Sequence, residues 1–100
     1  MEYSSKIIKG QHSEFVAAGW LVKNNYLVYF KTQDNDPMDI VAVERSTGDV
    51  LKIDVKSVSF RKTWKPGTRI CRVTSKYQKQ LGVKILYVYK DGRCDFHGKN

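Results

Sequence analysis

One hundred residues suit a single domain with a modest core and leave little room for a separate regulatory unit. Eighteen Lys and Arg against ten Asp and Glu give a formal charge of +8, which favours a polyanionic partner, nucleic acid first. The sequence shows no long apolar run, signal-peptide pattern or lipidation motif, which disfavours membrane attachment and points to a soluble intracellular chain, cytoplasmic or nucleoid-associated.

From about Ser5 to Asn24 the spacing predicts a helix, with Ile7, Ile8, Phe15, Ala18, Leu21 and Val22 forming its apolar stripe. Gly10 and Gly19 lower its propensity by about 1 kcal/mol each relative to Ala, so tertiary packing must help hold it. Asn24-Asn25 is the expected stop, because Asn tolerates the left-handed conformation that ends many helices. Tyr26 to Thr32, aromatic and β-branched, reads as a first strand, and the polar run from Gln33 to Pro37 as a turn. Asp39 to Glu44 reads as a second strand, and Arg45 to Asp49 as a hairpin loop into a third, Val50 to Lys56.

That third strand alternates apolar and polar residues. Side chains repeat every two residues along a strand, which sets Asp54 and Lys56 on one face, expected to be open, and Ile53 and Val55 on the other. From Ser57 to Arg69 the periodicity fades, and basic residues interleave with Phe60 and Trp64 around Pro66-Gly67, as in a basic loop. Trp64 is divided between base stacking and core anchoring, whereas Trp20 and Tyr87 read as packing residues. Thr74 or Ser75 can cap a short helix that runs to about Leu81 and stops at Gly82. Val83 to Tyr89 is a strongly apolar strand, and Asp91-Gly92 signals a turn before a last short one, Arg93 to His97. This order predicts an α+β or three-layer α/β/α domain around a mixed sheet.

Cys71 and Cys94 are too few and too far apart for a disulfide scaffold or a closed zinc ribbon, and adding His12 and His97 produces no paired-ligand spacing. The acids are more telling. Asp39 follows Pro37-Met38, and Asp54-Val55-Lys56 comes fifteen residues later, so two carboxylates and a lysine arise on neighbouring strands that can converge. Such a group can hold a hard cation and neutralise developing phosphate charge, as a phosphodiesterase requires. Asp34 and Asp36 compete with Asp39 for this role, but only Asp39 leads directly into the apolar strand.

Three features, Gly10-Gln11-His12-Ser13-Glu14 in the helix, Asp39 at the second strand and Asp54-Val55-Lys56 in the third, together resemble the PD-(D/E)XK nuclease superfamily. Lys9-Gly10-x-x-x-Glu14, Asp39-Ile40-Val41-Ala42 and Ile53-Asp54-Val55-Lys56-Ser57 look most like the archaeal-type Holliday junction resolvases, over about the first sixty residues. The resemblance implies a restriction-endonuclease-like core and a divalent cation, Mg2+ or Mn2+, held by Asp39, Asp54 and the Val55 carbonyl, with Glu14 adding a ligand or holding a metal-bound water. Lys56 would position water or stabilise transition-state charge, its ordinary pKa near 10 arguing against a role as base. It also implies cleavage of branched DNA, four-way junctions above all, by a homodimer that makes paired cuts. Two departures stand out: Met38 separates Pro37 from Asp39, and Asp54 replaces the longer Glu of many relatives.

Lys9, Arg61, Lys62, Lys65, Arg69 and Arg72 read as DNA phosphate contacts, and Gln78 as a substrate or supporting contact. His12 reads as a surface residue or phosphate contact. The bland alternatives are a surface acid at Glu14 and an exposed charge pattern at Asp54 and Lys56. Alternative functions are a nuclease of the same fold acting on flap, nicked or duplex DNA, a noncatalytic nucleic-acid-binding module, and an interaction subunit of a nucleoprotein complex. The small size is compatible with a viral protein, which would act in the host cytoplasm.

Overall fold

A computed structural model of the chain describes residues 5–33, 36–58, 67 and 73–98, the side chains of residues 5–7 excepted. The elements follow in the order α1 (Ser5–Lys23), β1 (Tyr26–Phe30), β2 (Ile40–Glu44), β3 (Val50–Ser57), α2 (Lys76–Leu81), β4 (Val83–Val88) and β5 (Cys94–Phe96). The five strands form one mixed sheet in sequence order, antiparallel throughout except where β3 and β4 run parallel. The parallel pair needs a crossover, and α2 lies within it. This is an α+β domain around a mixed sheet, as the order of the elements predicts.

Local chemistry places the breaks. Asn25 ends α1 at φ 73°, and its carbonyl accepts the Arg45 N–H at 3.0 Å, so the same residue ties the helix stop to the β2–β3 hairpin. Ser75 caps α2 through a reciprocal box with Gln78, and Gly82 terminates it at φ 77°. Helix α1 packs on one sheet face, where Ala17 and Leu21 meet Ile40, Ala42, Ile53, Val55, Leu86 and Val88. Burying a side chain of the Leu or Ile kind contributes about 1.5–3 kcal/mol, so this cluster offsets the two helical glycines. Trp20 stacks edge-on against Phe96 at 6.0 Å and Tyr87 is fully buried, both as packing residues.

The apolar stripe expected on α1 is displaced. Its buried face is Ser13, Ala17 and Leu21, spaced by four, while Ile8, Phe15 and Val22 are more than half exposed. Those three recur every seven residues and form a separate line on the helix, with the Phe15 ring meeting that of Phe30 edge to face at 5.6 Å. Pattern alone could not choose between two apolar lines; the line that packs into the sheet cluster is the one carrying Ala17 and Leu21. No helix among the described residues is long and apolar enough to cross a membrane.

Candidate active site

Strand β2 begins at Ile40, opposite Phe30 of β1 and Ile53 of β3. One step beyond this row the backbone still connects, Lys31 N to Asp39 O at 3.1 Å and Asp39 N to Ile53 O at 2.8 Å. Lys31, Asp39 and Asp54 therefore stand side by side across three neighbouring chain segments. Just before β2 begins, the Asp39 side chain takes over the strand's bonding role: Oδ2 accepts the Val55 N–H at 2.8 Å. Because a strand residue's N–H and C=O leave on the same edge, the Val55 carbonyl also faces this gap. The other Asp39 oxygen, Oδ1, accepts from Lys31 Nζ at 3.0 Å.

Asp54 is 9% exposed, which corrects the expectation of an open strand face. Neighbouring Asp39 and Gln78 of α2 cover it. The Gln78 side-chain N–H donates to Asp54 Oδ2 at 3.1 Å and to Pro37 O at 2.7 Å, while its Oε1 accepts from Ser75 N at 2.9 Å. One residue thus caps α2, fixes the turn before Asp39 and orients Asp54. Lys56 Nζ lies 3.7 Å from Asp54 Oδ2 and is about two-fifths exposed, positioned to meet an incoming anion. Glu14 approaches from α1, its Oε1 3.9 Å from Lys31 Nζ.

The electrostatics follow from crowding. Burial pushes the Asp54 carboxyl above its ordinary value, and a hydrogen bond shared with Asp39 adds to the rise, against the pull of Lys56 and Gln78. Burial likewise raises Glu14, followed by repulsion from Asp39, with Lys31 opposing and Asp54 adding to the rise. Carboxylates that resist ionising beside one another are an oxygen donor set suited to a hard divalent cation, which relieves that repulsion. Among the described residues, however, no three His, Cys, Asp or Glu side chains converge closely enough to hold a metal ion as they stand. Asp39 and Asp54 adjoin, whereas Glu14 is beside Lys31.

Of the other expected site residues, Lys9 is exposed and sits apart from the acids. It lines a cavity of about 200 Å³ together with His12, Ser13, Ser57, Tyr89 and Lys90, where the Ser13 and Ser57 hydroxyls pair at 2.6 Å. Arg61, Lys62, Lys65, Arg69 and Arg72, with Trp64, lie outside the described residues, as do Asp34 and Cys71. Asp36 sits in the turn, its N–H reaching Gln33 O at 3.4 Å. Cys94 is a free, half-buried thiol pushed by burial up to about 11, and His97 Nδ1 pairs with the Tyr87 hydroxyl at 3.0 Å. Lys31 was invisible to motif reasoning. Its signal is its position eight residues before Asp39 across a turn, which becomes meaningful only with the β1–β2 register.

The fold is similar to that of a bacterial homing endonuclease, I-Ssp6803I, with a TM-score of 0.64 at 18% sequence identity, over 88% of this chain. The matched region spans 64% of the length of that enzyme. No protein-family model matches the chain, and no curated protein does so.

Proposed function

We propose that the chain is a divalent-metal-dependent endonuclease that hydrolyses phosphodiester bonds in DNA. What supports this reading is the meeting of Asp39 and Asp54 at the point where β2 and β3 part, with the Lys56 ammonium 3.7 Å from Asp54. Asp39, Asp54 and the Val55 carbonyl would hold Mg2+ or Mn2+, with Glu14 joining directly or through water. When bound, such an ion polarises the scissile phosphate and lowers the pKa of a water molecule.

The chain's own groups do the rest. Gln78 keeps Asp54 aimed by donating to its Oδ2. Lys56, exposed beside that acid, orients water and balances the charge that grows on the phosphate oxygens. The positive balance of the whole chain draws DNA towards the acids, with Lys9 and the basic run Arg61, Lys62, Lys65, Arg69 and Arg72 contacting phosphates.

The substrate reading shifts away from the sequence motifs. The solved structure similar to this fold is described as a homing endonuclease and not as a junction resolvase, which favours cleavage of flap, nicked or duplex DNA over four-way junctions. A homodimer remains our proposal for paired cuts, and sedimentation equilibrium tests it. The deciding experiment compares wild type with Asp54→Ala on labelled duplex, nicked, flap, single-stranded and four-way junction DNA, with magnesium or manganese. Cleavage of a non-junction substrate that the variant loses is the expected result. Junction-selective cutting would restore the resolvase reading, and tight binding without cutting of any substrate would replace the enzyme with a binding module.

A further inference from the structure

Lys31 stands between Glu14 and Asp39. Its ammonium sits 3.0 Å from Asp39 Oδ1 and 3.9 Å from Glu14 Oε1, on a side chain three-quarters buried. A hard cation would seek the same oxygen lone pairs. Charge balance sharpens the conflict. Glu14, Asp39 and Asp54 carry one more charge than Lys31 and Lys56 together, so a divalent ion arriving with both ammoniums in place overshoots neutrality in a largely buried pocket. Lys31 is the one whose contacts coincide with two of the acids an ion would need, whereas Lys56, on a more exposed side chain, lies 3.7 Å from Asp54. A lysine on a flexible four-carbon stem can yield that position without moving the backbone.

We propose that Lys31 is a built-in cation of the carboxylate cluster that competes with divalent metal for Asp39 and Glu14, and thereby sets how tightly the site takes the ion. The inference rests on the metal-dependent reading above and adds a residue to it. Competition carries a signature opposite to that of a ligand or a structural residue: removing Lys31 strengthens metal binding.

The test is a manganese titration without DNA, followed by water-proton relaxation, of wild type, Lys31→Met, Lys31→Arg and Asp54→Asn. Lys31→Met should bind roughly tenfold more tightly, equivalent to about 1.4 kcal/mol. Lys31→Arg should stay near wild type, and Asp54→Asn should bind more weakly. In chelator Lys31→Met should melt below wild type, and manganese should raise its melting temperature by more. Lys31→Gln provides a second neutral variant should Met disturb folding. Equal or weaker binding by a folded neutral variant, with Asp54→Asn still impaired, overturns the role of Lys31 and leaves the metal site standing. Equal binding by all variants, Asp54→Asn included, overturns both.

Discussion

Asp39 and Val55 are joined by a 2.8 Å hydrogen bond from backbone to carboxylate, so the acid that opens the site also holds β2 against β3. Asp39→Ala leaves the buried Val55 N–H without its acceptor and should cost about 1–3 kcal/mol in urea denaturation. Asp39→Asn retains an acceptor oxygen and should cost less. Both should abolish cleavage, which separates the structural contribution of Asp39 from its chemical one.

Stability should depend on pH in the direction set by two raised carboxyls. Asp54 and Glu14 titrate above their ordinary values of 3.8 and 4.5. The native state therefore binds more protons than the unfolded chain between the ordinary and the raised values, and stability falls as pH rises through that interval. In chelator, urea midpoints taken from about pH 4 to pH 7 should show this fall. Asp54→Asn should flatten it and be more stable than wild type at neutral pH while inactive, a trade common where acids are crowded for function. Magnesium should flatten it in wild type.

Gln78 should behave as a positioning residue rather than a surface amide. Ser75→Ala removes only the cap oxygen and should cost about 1 kcal/mol. Gln78→Ala releases Pro37 and Asp54 as well as the cap. Its kcat should fall at least about tenfold, with KM for DNA little changed, since the interaction lost orients an acid and does not bind substrate. Equal losses from both variants would reduce Gln78 to a helix cap.

The two sides of α1 should respond in opposite senses. Leu21 is fully buried in the sheet-facing cluster, and Leu21→Ala should cost about 2–5 kcal/mol by thermal or urea unfolding. Gly19 is exposed, and a Cβ there would meet nothing within 4 Å. Gly19→Ala should therefore stabilise the protein by up to about 1 kcal/mol without touching cleavage.

Much of this was legible locally. The alternation of Val50 to Lys56, the helical spacing before Asn25, the cap at Ser75 and the stop at Gly82 each depend on residues within a turn or two of one another, and backbone sterics and short-range hydrogen bonds act at that range. The amino-acid order alone thus determined the succession of helices and strands and marked out Asp39, Asp54 and Lys56 as a group. Only the tertiary structure decided that Leu21 and not Phe15 faces the sheet, that Asp54 is covered by Gln78 from a helix beyond the basic run, and that Lys31 stands between Glu14 and Asp39. These follow from strand register and from which apolar line the sheet accepts. Both are settled by partners distant in the chain, whose pairing leaves no periodic mark in the sequence.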